Sequence, residues 1–112
     1  MRSVAVRAAT LRHRVILQSA AATADSGGGA ATVWNDDATL WASIEPLKGA
    51  ERFTAQQLES RLTHRVTLRM RDGVTTAMRL KFGLRIFNIR AVINPGERDR
   101  LLELLCEEGV AT

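Results

Sequence analysis

Apolar and polar residues alternate along much of this chain, most cleanly between Leu62 and Arg71. Leu62, His64, Val66, Leu68 and Met70 fall on one side, and Thr63, Arg65, Thr67, Arg69 and Arg71 on the other. Successive strand side chains point to opposite faces, so this period of two predicts a half-buried β-strand. An earlier run has the same form, with Leu11, His13, Val15 and Leu17 opposing Arg12, Arg14 and Gln18. A strand is predicted over 32–47, where Ala38, Leu40, Ala42 and Ile44 alternate with Thr39, Trp41, Ser43 and Glu45. Pro46 ends its regular pairing because proline has no backbone donor. Met78, Leu80 and Phe82 oppose Arg79 and Lys81 in another strand. Residues 84–93 (LRIFNIRAVI) are apolar on both faces, as a central strand would be. Residues 101–108 (LLELLCEE) read as a last strand, with a short helix as the alternative.

Turn signals separate these runs: Asp72-Gly73, Gly83 and Asn94-Pro95-Gly96. Residues 19–31 break the alternation with alanines, Asp25, Ser26 and Gly27-Gly28-Gly29. Ordering three consecutive glycines is entropically costly, so a mobile loop is expected there. Residues 49–60 (GAERFTAQQLES) suit a short helix, with Ala50, Phe53 and Leu58 towards one side. The expected fold is mainly all-β: a small antiparallel barrel or sandwich of about six strands, with one short inserted helix and a long flexible loop. The expected organisation is an N-terminal arm (1–10), a single domain (11–108) and a short tail (109–112). A chain of 112 residues fits one domain, most of which run to about 100–150 residues.

Composition narrows the function classes. With 46% apolar and 25% charged residues the chain reads as an ordinary globular protein. Its net charge of +4 makes an acidic partner plausible. One cysteine, Cys106, excludes an internal disulfide and a cysteine-rich zinc site, and reads as a small core residue. No secretory leader is expected, because Arg7 interrupts the N-terminal apolar residues. There is no run of about 18 apolar residues, so no membrane span is expected.

Catalytic chemistry finds little support. Leu11–Leu17 and Leu62–Leu68 both read L-x-H-R-V-x-L, which places His13 and His64 on apolar faces. Two histidines without a third ligand make a poor zinc site, and two similar strands with part-buried imidazoles account for them better. The run Gly27–Gly29 lacks the following Lys-Ser/Thr of a phosphate loop. Asp36-Asp37 and Glu107-Glu108 are adjacent pairs whose members point opposite ways in a strand, so solvated carboxylates are expected rather than an acid–base couple. No metal, cofactor or enzymatic activity is expected.

The basic residues carry more information. Arg12, Arg14, Arg65, Arg69, Arg71, Arg79 and Lys81 oppose apolar positions on predicted strands. On neighbouring strands they would build a cationic face able to follow phosphates or to pair with another subunit. With three Phe, two Trp and no Tyr, the stacking platform of a small oligonucleotide-binding barrel is thin, and that reading ranks second.

The order of features resembles a known family over residues 11–108. An LRHRVILQ strand and a glycine-bearing loop precede VWNDDATLWASIEPLKGAERFTAQQLES and then THRVTLRMRDGVTTAMRLKFGLRIFNIR. The telling parts are Trp41–Pro46, Glu51 with Gln56-Gln57, Thr63-His64-Arg65 and Arg85–Arg90. In this order they resemble the phage head-closure, or head–tail joining, family, including its counterparts in gene transfer agents. The resemblance implies a stopper in the neck of a virion or virus-like particle, assembled in the bacterial cytoplasm. It implies a homo-oligomeric ring of about six or twelve copies, a closed cyclic arrangement. The implied partners are a portal-side adaptor, a tail terminator or tail tube protein, and packaged double-stranded DNA in the lumen. Candidate lumen or partner loops hold Asp25, Gly27, Gly28 and Gly29 in one segment, and Glu51, Arg52, Gln56 and Gln57 in the other. Met70 departs from the family pattern, where an aromatic often follows R-x-R.

Overall fold

A computed structural model of the protein describes residues 11–24, 30–58 and 61–109. The chain forms β1 (His13–Ala24), β2 (Ala30–Pro46), α1 (Gly49–Leu58), β3 (His64–Arg69), β4 (Arg79–Phe82), β5 (Arg85–Ile93) and β6 (Leu101–Gly109). The six strands close into a barrel in the order β1-β2-β3-β6-β5-β4, each pairing antiparallel. Closure pairs strand edges that would otherwise be open to other chains. Of the two architectures expected, the barrel is the one formed, and residues 101–109 are strand rather than helix.

The predicted alternation supplies the interior. Val15 and Leu17 of β1, Ala42 of β2, Val66 and Leu68 of β3, and Leu80 of β4 meet Phe87 and Ile89 of β5. Leu102, Leu104 and Cys106 of β6 complete this core. Full burial of such side chains contributes about 1.5–3 kcal/mol each, which offsets the entropy of ordering the strands. The barrel is therefore filled and offers no channel through a single subunit. Two-residue turns such as Gly83-Leu84 need a left-handed residue, and Gly83 supplies it with φ 61°.

Three expectations are corrected. The stretch 19–31 is not one long loop: Ser19–Ala24 pairs residue by residue with Ala30–Asn35, prolonging the β1–β2 hairpin beyond the barrel. Alanines and threonines carry no hydrophobic contrast, so backbone pairing sets this strand without leaving a period in the sequence. Asp25, Gly27, Gly28 and Gly29 lie outside the described residues. Second, the buried face of α1 is not that of Ala50 and Phe53. Ala55 packs outside the barrel against Leu47, Leu62 and Leu105, while Phe53 is 68% exposed. A small residue lets the helix approach the sheet closely, and a phenylalanine there would hold it off. Third, Leu62 belongs to this outer cluster, so the run that contains it leaves the barrel interior before Val66.

Strand directions give the barrel two distinct ends. At one end lie the start of β1, the β4–β5 turn, the start of β3 and the end of β6. At the other lie the hairpin arm, the β3–β4 loop and the β5–β6 loop.

Candidate functional site

The seven basic residues expected to share one face are divided by the structure. Arg14 lies over the ring of Trp41, its cross-strand partner, at 4.6 Å. Arg12 is exposed and Lys81 half-buried. Arg65 is committed to carboxylates: its Nη2 is 2.9 Å from Glu51 Oε2 and its Nε 3.2 Å from Glu103 Oε1. Burial alone would lower the Arg65 pKa, but the hydrogen bond and charge of Glu51, with Glu103 and Glu45, outweigh it and raise it. Glu51 thereby ties α1 to the barrel, and Gln56 adds a bond from its Nε2 to the Leu62 carbonyl at 3.1 Å. Arg52 and Gln57 of the same helix are exposed.

Arg79 is the largest departure from the expected basic face, being 7% exposed. Its Nε donates to Gln18 Oε1 at 2.8 Å, and Gln18 Nε2 donates onward to Asp36 Oδ1 at 2.7 Å. Its guanidinium lies 4.0 Å from the centre of the Trp34 ring. Burial holds its pKa below the ordinary arginine value. These groups lie at the root of the hairpin arm, where a register shift at Leu17/Gln18 leaves Asp37 as the extra residue of a bulge. The network fixes how the arm leaves the barrel.

Arg69 and Arg71 remain exposed at the arm end, beside two arginines that the alternation did not single out, Arg98 and Arg100. The Met70 amide donates to the Arg100 carbonyl at 2.9 Å, which holds the two loops side by side. None of the four arginines forms an ion pair among the described residues. The β5–β6 loop is shaped rather than slack. Glu97 and Asp99 adopt left-handed backbone at φ 53° and 56°, a conformation costly for residues other than glycine. Asn94 braces it, donating from Nδ2 to Asp99 Oδ1 at 2.8 Å and accepting from the Asp99 amide at 3.2 Å.

The opposite end carries a second charged set. Arg85 donates from Nε and Nη2 to both oxygens of Glu108, at 2.8 and 3.1 Å. His64 lies edge-on to Phe87 with ring centres 5.0 Å apart, and its Nε2 is 3.9 Å from Glu108 Oε1. Burial, the largest influence, lowers the His64 pKa; Arg85 and Arg52 push the same way and Glu108 opposes them. Glu107 pairs with Arg90 at 2.7 Å. The Glu107-Glu108 carboxylates are thus ion-paired rather than simply solvated. His13 packs on Phe82 instead and lies on β1, separated from His64 on β3 by β2. Among the described residues no cluster of three or more His, Cys, Asp or Glu side chains is placed to hold a metal ion. Cys106 is fully buried, and burial pushes its thiol pKa up to about 12.

The model of the phage head completion protein family matches residues 6–109, nearly the whole chain. The chain belongs to that family. It is a structural family of the phage head, which makes this head completion protein a virion component of head–tail joining. The solution structure of protein SF1141 from Shigella flexneri 2a is similar, with a TM-score of 0.75 and 26% identity, covering 96% of this chain and all of that one. A chain in the virion of a native gene transfer agent particle shares the fold, with a TM-score of 0.61 and 23% identity over 89% of this chain and 96% of that one. Among curated proteins none matches. No helix among the described residues is long and apolar enough to cross a membrane.

Proposed function

We propose that this head completion protein is a stopper subunit that forms a ring in the neck of a tailed phage or gene transfer agent. The ring retains packaged DNA and offers the tail a docking surface. The observation that carries the reading is the pair of unlike barrel ends. One end bears the hairpin arm and four arginines outside any ion pair among the described residues; the other bears the Arg85–Glu108 and Arg90–Glu107 pairs beside the exposed Arg12. A ring subunit needs such polarity, because the layers above and below it differ. The side chains filling the barrel leave no passage for DNA through one subunit, so the lumen lies between copies.

Arg69, Arg71, Arg98 and Arg100 face phosphates or an acidic neighbouring ring. The role is non-enzymatic, with assembly in the bacterial cytoplasm before joining the portal-side adaptor. A free oligonucleotide-binding barrel is less well supported, since Arg79 lies on Trp34 and Arg14 on one face of the half-exposed Trp41, which leaves a thin stacking platform.

Deleting the chain from the producing strain tests the reading. The expected particles are heads that have packaged DNA, lose it on purification and carry no tails. Tailed, DNA-retaining particles made without the chain overturn it.

A further inference from the structure

Closure of the barrel stops at the arm. β1 pairs with β4 only over Ile16–Gln18, and β2 pairs with β3 only over Ala42–Pro46. Beyond these points the hairpin has two edges with no strand partner among the described residues, Ser19–Ala24 on β1 and Ala30–Trp41 on β2. At about 3.3 Å per residue, the 17 residues of β2 reach about 56 Å, close to the 57 Å long axis of the molecule, which is 27 × 26 Å across.

A free edge exposes a row of unpaired amides and carbonyls, and proteins that remain monomeric guard such edges with lysine, proline or charge. Above its root, the described part of this arm has no such guard. Ser19–Ala24 and Ala30–Asn35 contain no charged residue and no proline; among the described residues of the arm, charge appears at the root, with Asp36, Asp37 and Arg79. Thr32 is exposed and Val33 is 43% exposed. The root is held by the Arg79–Gln18–Asp36 chain, so the arm is presented in one direction.

We propose that these edges form the seam between copies: the β2 edge of one chain pairs antiparallel with the β1 edge of the next. The partner is a second copy because the hairpin carries one edge of each kind. β1 runs away from the barrel and β2 runs back, so β2 of one copy beside β1 of its neighbour gives antiparallel pairing with every arm pointing the same way. That is a head-to-tail contact, which closes under rotation and leaves no edge free. The inference rests on the ring reading above and adds which backbone makes the contact.

Amide hydrogen exchange tests it, read on peptides covering 30–41 in intact particles and in the isolated chain held monomeric by dilution. The seam predicts at least about tenfold slower exchange in the particle for alternate amides of Ala30–Asn35, the stretch level with the free Ser19–Ala24 edge, with β3 and β6 peptides unchanged. It also predicts that Thr32→Lys with Val33→Lys leaves the isolated barrel's melting unaltered but lowers incorporation at least about tenfold. Equal arm exchange in both states, or wild-type incorporation of the lysine variant, overturns the seam. A neck ring with unprotected arm amides would leave the stopper reading standing and remove the seam. Arm-protected oligomers of a chain absent from the neck would do the reverse.

Discussion

Replacing Gln18 should cost more stability than replacing both Gln18 and Arg79. Gln18 is 5% exposed and holds Arg79 on one side and Asp36 on the other. Gln18→Leu keeps most of the volume but strands a guanidinium that is itself 7% exposed. A hydrogen bond to a charged group is worth about 1.5–3 kcal/mol, and leaving its buried partner unsatisfied incurs the full desolvation cost. The single substitution should therefore destabilise the protein by about 2–3 kcal/mol. At about 4 °C per kcal/mol for a domain of this size, the melting temperature should drop by about 8–12 °C. Arg79→Met in the Gln18→Leu background removes the stranded charge and leaves an apolar pair beneath Trp34. Only the cation–π attraction, about 0.5–2 kcal/mol, then goes unrecovered. The double variant should thus be at least about 1 kcal/mol more stable than the sum of the single losses predicts. Urea unfolding of the four proteins measures this cycle. A Gln18→Leu cost below about 0.5 kcal/mol, or strictly additive losses, would refute the network's role.

Other consequences follow from burial and charge. Phe87→Ala opens a cavity in the barrel and should cost about 3–5 kcal/mol in urea unfolding, whereas Phe53→Ala on the exposed side of α1 should change stability by less than about 0.5 kcal/mol. Cys106 should resist thiol reagents at pH 8 while the protein is folded and react fully in urea, because only the thiolate attacks. Acidification should lower the melting temperature in two stages. His64, with a folded pKa below 6.5, contributes fully above that value and loses its contribution as pH falls from there towards the folded pKa. Glu108, held below 4.5 by the bond from Arg85, contributes above 4.5 and loses its contribution as pH falls through its folded pKa. His64→Gln should remove the first stage and keep the second. Arg69, Arg71, Arg98 and Arg100 replaced by serine should flatten the salt dependence of any DNA binding by about 0.9 for each phosphate no longer neutralised, with the melting temperature unchanged.

The barrel was legible wherever polarity alternates. Val66, Leu68 and Leu80 are interior because their neighbours are charged or hydroxylated, and that contrast is visible in the sequence. The arm was not legible, since alanine and threonine give the same weak signal on either face. Arg79 reads as a solvent-facing residue by alternation alone. It is buried because Gln18 and Trp34, far away in sequence, come to lie over it. In α1 a hydrophobic count favours Phe53, whereas close packing on Leu105 selects Ala55. Arg98 and Arg100 belong to a turn, where no period marks them. They join Arg69 and Arg71 only through the register of β3 with β6.

Cryo-electron microscopy of intact particles would show whether copies of this chain form the ring that closes the neck. The expected density is a closed ring of this barrel between adaptor and tail, with its hairpin arms side by side. A complete neck containing no copy of the chain, or single copies bound without mutual contact, would contradict it.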